Sequence, residues 1–329
     1  MLPKVVVLVF IFSFVSGVPH THNSKSGMKE DVEHGFYTPR ENKHYKEGKH
    51  ESNFDHESVL GSHDAAEEFD HLPPEESKKR LFSLALKMDA NGDKYVDKNE
   101  LVNWVLKSFK TLTEEEAMDE LEDEDGDEDG KVTWEEHIAE TYGMYDEDTV
   151  LNHVKDSPDE LQMLENDREL FNAADLNGDG ILEKSEYPGY SHPEEFEHMH
   201  QVLYDQAMRR RDKDKDGFMS FDEFMADHHG SPPVPTTEHY AMEKDRFTKD
   251  LDLNGDKKLD KEEMLLWLIP NNVNTAESEA DHLIESSDTD KDGKLSIQEI
   301  VDHHDVFVGS EATDFGEQLQ NHHKYTDEL

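Results

Sequence analysis

The chain has 329 residues and sets 80 Asp and Glu against 33 Lys and Arg, a formal net charge of −47. Such a charge repels nucleic acid and anionic membrane surfaces, so neither nucleic-acid binding nor membrane insertion is expected, and it calls for cations. The length corresponds to two or three domains, and with no cysteine in the chain neither disulfides nor thiolate–metal bonds hold them together.

Residues 1–17 read as a signal peptide. Lys4 supplies the positive start, Val5 to Val15 an apolar run, and Val15-Ser16-Gly17 a small-residue cleavage site. The run is much shorter than the ~20 residues of a membrane span. The mature protein is therefore expected in the secretory lumen or outside the cell. Residues 18–72 are polar, lack an apolar period and carry His20, His22, His34, His44, His50, His56, His63 and His71. They read as a disordered, solvated arm. A transition-metal or pH-sensing role is the alternative, because histidine titrates near about pH 6.5. No Asn-x-Ser/Thr sequon follows.

Order is expected from Pro73-Pro74. Leu81, Phe82, Leu84, Ala85 and Leu86 give Glu75–Met88 a buried helical face, and Leu101, Val102, Trp104, Val105 and Phe109 mark a second helix beyond a short acidic loop. Thr113-Glu-Glu-Glu116 has the form of a capping box that opens a new helix, as do Ser157-Pro-Asp-Glu160 and Ser191-His-Pro-Glu194 further on. Trp134, Ile138 and Tyr142 share a face after the next acidic loop; Leu161, Leu164, Leu170 and Phe171 precede a third. Pro188-Gly189 cuts the following helix short, and Phe196, Met199, Val202, Leu203 and Met208 lead to a fourth loop. Gly230-Ser-Pro-Pro-Val-Pro235 is the clearest linker. Beyond it, helices ending at Leu251 and Ser287 enter two more loops, and Pro270 stops the helix between them.

The six loops share one pattern: Asp at position 1, Asp or Asn at 3, Asp at 5, an apolar residue at 8 and Glu at 12. Three side-chain oxygens converge from one turn, the position-7 carbonyl adds a fourth, position 9 holds a water or adds an acid, and the final Glu offers two oxygens. That is the ligand order of the EF-hand loop, and hard oxygen donors point to calcium. The candidate ligands of loop one are Asp89, Asn91, Asp93, Tyr95, Asp97 and Glu100, and those of loop two are Asp125, Asp127, Asp129, Lys131, Thr133 and Glu136. Loop three offers Asp175, Asn177, Asp179, Ile181, Glu183 and Glu186; loop four offers Asp212, Asp214, Asp216, Phe218, Ser220 and Glu223. Loop five offers Asp252, Asn254, Asp256, Lys258, Asp260 and Glu263, and loop six offers Asp288, Asp290, Asp292, Lys294, Ser296 and Glu299. Odd loops combine Asn at 3 with an acid at 9; even loops combine Asp at 3 with Ser or Thr at 9. Lys94 and Lys257 replace the position-6 glycine, at ~1–3 kcal/mol of backbone strain, so loops one and five are expected to be the weakest of up to six calcium sites.

One helix–loop–helix cannot bury its apolar face alone, so the hands must pair through position 8. The short spacings pair neighbours: Val96 with Val132, Leu182 with Met219, Leu259 with Leu295. The expected fold is all-α, with EF-hand pairs at 73–145, 157–229 and 237–305, connected near 143–156 and 228–236, and a polar tail at 306–329. The crowded carboxylates repel without metal, so binding free energy becomes folding free energy. Sites for a calcium-rich lumen work near ~10⁻⁴–10⁻³ M. The tail ends Thr326-Asp327-Glu328-Leu329, similar to endoplasmic-reticulum retrieval signals but with Thr in place of the usual Lys or His.

A signal peptide, a polar arm, six EF-hand loops, no cysteine and a retrieval-like end together resemble the CREC family, the reticulocalbin–calumenin group. The resemblance covers nearly the whole chain. It implies a low-affinity calcium binder of the secretory pathway that assists or regulates client proteins there and meets a retrieval receptor through its C-terminus. A passive calcium buffer is the alternative. An enzyme is not expected: the chain has no Gly-x-Ser-x-Gly, no His-Glu-x-x-His and no phosphate-binding glycine loop.

Overall fold

The computed structural model of the chain describes residues 52–226 and 238–309, together with four short strands, β1 (Val32–Glu33), β2 (Phe36–Tyr37), β3 (Tyr45–Lys46) and β4 (Lys49–His50), which form two hairpins. The expected signal peptide, the expected 228–236 connection and the retrieval-like C-terminus lie outside the described residues.

Order begins earlier than Pro73. Helices α1 (Ser52–Leu60) and α2 (His63–Asp70) precede α3 (Pro74–Met88), so the expected disordered arm is corrected from residue 52 onward. Phe54 is buried with Val105, Phe109, Leu112 and Ala276, while Val59 and Phe69 enter the core formed by the first and last hands. Helix α1 shows no apolar period because most of its buried face is polar: Asp55, His56, Glu57 and Ser58 are all buried and are matched by other polar groups, while α2 buries only Ala66 and Phe69. His63 Nδ1 lies 3.0 Å from Glu57 Oε1 and its Nε2 lies 3.1 Å from Glu116 Oε1. His56 Nε2 is 3.1 Å from the Asp305 carbonyl. These two histidines belong to the folded body rather than to a solvated linker.

Six further strands form the inter-loop ladders: β5 (Tyr95–Val96), β6 (Lys131–Thr133), β7 (Ile181–Glu183), β8 (Met219–Ser220), β9 (Lys258–Leu259) and β10 (Leu295–Ser296). Val96 faces Leu295, Val132 faces Leu182, and Met219 faces Leu259. The hands therefore pair one with six, two with three, and four with five. This overturns the nearest-neighbour pairing and the three domains drawn from it; residues 143–156 lie within one paired unit, and 228–236 falls between the two hands of another.

The physical cause is α4 (Lys98–Glu124), a single 27-residue helix. At about 1.5 Å per residue it is ~40 Å long, and it holds loops one and two at opposite ends. The expected helix start at Thr113 does not occur: Thr113 is buried in mid-helix, and its hydroxyl donates to the Phe109 carbonyl at 3.1 Å and to Glu195 Oε2 at 2.9 Å. Val105, Phe109, Leu112, Ala117 and Leu121 keep the helix continuous by burying along its length.

Loop two instead turns back. Helix α5 (Trp134–Tyr142) ends at Gly143, whose φ of 66° forms a left-handed cap. Helices α6 (Glu147–Val154) and α7 (Pro158–Ala174) then bring loop three beside loop two. Ser157 precedes α7 without a side-chain cap bond. Helix α8 (Tyr187–Ser191) is only 5 residues long, as Pro188-Gly189 predicts. The helix expected from Ser191 starts later: two 3₁₀ turns, Pro193–Glu195 and Glu197–Met199, intervene before α9 (His200–Arg211), because Phe196 is extended.

Helix α10 (Phe221–Ala226) leaves loop four; α11 (Glu238–Arg246) and a π-turn at Phe247–Leu251 enter loop five. Helices α12 (Lys261–Leu268) and α13 (Asn272–Ser287) connect loops five and six, and α14 (Ile297–Asp302) and α15 (His304–Phe307) close the array. Helix α13 packs along α4, and α14 along α3. Each ladder tops its own core: Leu81, Val96, Leu283 and Leu295 in the first; Val132, Phe171 and Leu182 in the second; Met219, Phe224, Phe247 and Leu259 in the third.

Candidate metal centres

Each acidic loop is closed by its own side chains. The position-1 carboxylate accepts from the position-6 amide in all six, from Lys94, Gly130, Gly180, Gly217, Lys257 and Gly293, at 2.6–3.0 Å. The position-3 oxygen accepts from the position-5 amide at 2.7–3.2 Å. The position-12 glutamate spans the loop. One oxygen accepts from the position-3 amide at 3.1–3.4 Å, and the other from the position-9 amide at 2.8–3.2 Å.

Positions 9 and 12 do a second job that the sequence pattern contains but the ligand reading passes over. Asp97 with Glu100, Thr133 with Glu136, Asp260 with Glu263, and Ser296 with Glu299 form capping boxes at the start of the leaving helices. The signal is present in sequence as Asp/Ser/Thr followed three residues later by Glu. The candidate ligands are thus also the caps that fix the helix start.

The backbone demands two left-handed residues per loop rather than the one expected. At position 6, Lys94 and Lys257 have φ of 73° and 71°, in the region where the four glycines sit in the other loops. Their amides still reach Asp89 and Asp252 at 2.9 Å, so the strain is accepted and the loop geometry kept. At position 4 the odd loops use Gly92, Gly178 and Gly255, while the even loops place Glu128, Lys215 and Lys291 at φ of about 60°.

In loops two, four and six the carboxylate oxygens of positions 1, 3 and 12 come together: Asp125, Asp127 and Glu136; Asp212, Asp214 and Glu223; Asp288, Asp290 and Glu299 lie within 4.8 Å of one another. In the odd loops Asn91, Asn177 and Asn254 supply the position-3 oxygen from an amide. The residues proposed for the carbonyl ligand, Tyr95, Lys131, Ile181, Phe218, Lys258 and Lys294, lie in or immediately before the ladder strands.

Crowding leaves its mark on protonation. The neighbouring charge of Asp129, followed by desolvation and Glu136, holds Asp127 above the ordinary carboxylate range. Desolvation, with Asp292, Glu299 and Asp288, does the same to Asp290. Asp288 is lowered instead, first by the hydrogen bond from the Gly293 amide. Converging, oxygen-only, partly repelling donors suit a hard divalent cation: the donor set fits calcium, which when bound would supply the positive charge that these carboxylates lack.

Paired helix–loop–helix units carrying such loops define a multi-EF-hand calcium-binding protein. The EF-hand domain pair family matches residues 244–303, and the EF hand family matches residues 168–187. The first match covers loops five and six, which are consecutive in sequence but face loops four and one across the ladders. Reticulocalbin-2 of Crotalus adamanteus is 37% identical over 286 residues, 86% of this chain and 93% of that protein. Reticulocalbin-2 of Mus musculus is 36% identical over 290 residues, 87% and 90% of the two chains, and Reticulocalbin-3 of Rattus norvegicus is 34% identical over 320 residues, 96% of each. The chain belongs to the CREC family, the reticulocalbin group of multi-EF-hand proteins.

Proposed function

We propose that this protein is a low-affinity calcium-binding protein of the endoplasmic reticulum and secretory-pathway lumen, in which calcium controls folding and, through it, contacts with client proteins. The observation that carries this reading is the double use of the position-12 glutamates. Glu100, Glu136, Glu263 and Glu299 are candidate ligands and also cap the leaving helices. A cation that draws on these carboxylates acts on the helix starts, and through the ladders on the paired hand. All six loops are suited to an ion, with loops one and five the weakest because of Lys94 and Lys257.

The luminal address is supported by the expected signal peptide and the retrieval-like Thr326-Asp327-Glu328-Leu329, which would engage a retrieval receptor. Among the described residues no helix is long and apolar enough to cross a membrane. The role is one of binding rather than catalysis. Clients are luminal or secreted proteins, met through surfaces that calcium orders.

The competing role is a passive buffer. The two separate on whether exposed apolar surface changes with calcium. Binding of a hydrophobic dye to residues 18–329, followed from ~10⁻⁵ to 10⁻³ M calcium, should change in step with helix content. An unchanged signal across full calcium uptake would identify a buffer and sink the client-regulating role.

A further inference from the structure

Every ladder in this protein brings a lysine from position 7 of one loop to an acid of the loop opposite. Lys131 Nζ of loop two lies 2.8 Å from Glu183 Oε1 of loop three. Lys294 Nζ of loop six lies 3.7 Å from Asp93 Oδ2 of loop one, and Lys258 of loop five bonds Asp216 of loop four. In two ladders the ammonium also sits over the aromatic ring at position 7 of the loop opposite, 5.9 Å from Tyr95 and 5.6 Å from Phe218, a contact that favours the crossed arrangement. Lysine occupies position 7 once per ladder and never in both of the paired loops; position 7 of the other loop is Ile181, Phe218 or Tyr95. The three acids it meets are candidate ligands: Asp93 and Asp216 at position 5, Glu183 at position 9.

We propose that Lys131, Lys258 and Lys294 set the calcium affinity of the loop across the ladder, each ammonium occupying an acid that the ion must recruit. Filling of loops three, four and one then competes with that lysine. The backbone of the same lysine stands at the carbonyl-ligand position of its own loop, so a single residue joins both sites of a pair and lets the state of one bear on the other. The inference rests on the calcium-binding role proposed above.

The size of the effect follows from electrostatics. A unit charge ~6 Å from a divalent ion is worth about tenfold in affinity in a water-like dielectric, and physiological salt reduces this to a few-fold. The lysines are 39–44% exposed, so solvent screening applies and the lower part of that range is expected at physiological salt. In the calcium-free protein the same charge acts in the opposite sense, relieving repulsion among the acids of the facing loop.

That opposition gives the test. The amides of Gly130, Gly180 and Gly217 donate to the position-1 aspartates of loops two, three and four, and their ¹H–¹⁵N signals report each loop separately during a calcium titration of the full chain. Lys131→Gln is expected to lower the Gly180 midpoint about three- to tenfold, and more than the Gly130 midpoint. Lys258→Gln should do the same at Gly217, while Lys131→Arg, which keeps the charge, should stay close to the unmodified protein. In chelator, Lys131→Gln should melt about 1–3 °C lower. Tighter binding together with a weaker calcium-free fold is a combination that a merely structural lysine does not produce. Unchanged or weaker binding at Gly180, or an equal shift at Gly130, would overturn the proposal. If none of the three amides in the unmodified protein responds to calcium, the calcium-binding role itself fails, and this one with it.

Discussion

Val96 and Leu295 face each other, both fully buried, in the ladder that joins the first of the six loops to the last. Their contact makes the array circular: with two paired to three and four to five, no hand is left unpartnered. Helices α3 and α4 on one side meet α14 and α13 on the other, so the chain closes through hands far apart in sequence.

Leu295→Ala should therefore cost ~2–5 kcal/mol in urea unfolding and release both members of the pair. Hydrogen exchange should show amide protection falling at Tyr95–Val96 as well as at Leu295–Ser296. Protection lost only at residues 295–296 would mean that the first and last hands do not depend on one another.

His63 supplies a pH-dependent tie between the N-terminal helices and α4. Its two ring nitrogens face Glu57 and Glu116 at 3.0 and 3.1 Å, and only the doubly protonated ring donates to both. Burial opposes the charge, but the hydrogen bonds that the ring donates to Glu116 and Glu57 outweigh it and lift the pKa from 6.5 to about 10. A raised folded-state pKa means that the contribution is complete below about pH 6.5 and fades as pH rises toward 10. The stability difference between the unmodified protein and His63→Gln should be a few kcal/mol near pH 6, at about 1.4 kcal/mol per unit less a discount for the buried setting, and should shrink steadily toward pH 10. A difference independent of pH would refute the charged tie.

Glu136 separates ligand from cap. Glu136→Gln keeps an oxygen for the Thr133 capping box but gives up a charge and the acceptor of the Asp127 amide, so calcium binding there should weaken by about tenfold or more while stability in chelator falls less than when the cap is removed. Glu136→Ala should lose calcium and also ~0.5–2 kcal/mol in chelator. Equal chelator stabilities for the two variants would show that the cap contributes nothing.

Lys94→Gly removes both the left-handed strain and a positive charge from loop one. Glycine's greater freedom in the unfolded chain offsets part of the gain, leaving about 1 kcal/mol in unfolding and tighter calcium binding at that loop. Unchanged or weaker binding after this substitution would remove the reason for ranking loop one among the weakest.

The loops were legible because their chemistry is local: spacing within twelve residues places every oxygen. The pairing was not. Position 8 is Val96, Val132, Leu182, Met219, Leu259 or Leu295, all apolar and interchangeable at a ladder, so nothing in them names a partner. The choice is made by α4, and Thr113-Glu-Glu-Glu116, which has the form of a helix start, lies inside it because Phe109, Leu112 and Ala117 bury continuously around that point. Helices α1 and α2 were hidden for a related reason. Their docking relies on His56 and His63 finding partners on distant elements; the buried face of α1 is largely polar and carries no periodic apolar signal, and α2 buries only Ala66 and Phe69, too few to show a period.

The central claim is that calcium binding at these loops folds the paired array, and far-UV circular dichroism of residues 18–329, with bound calcium counted in parallel, tests it most directly. Helix content should rise cooperatively near ~10⁻⁴–10⁻³ M calcium as several ions bind, the last filling loops one and five. Full helix in chelator with no change on calcium addition, or no calcium taken up at all, would contradict it.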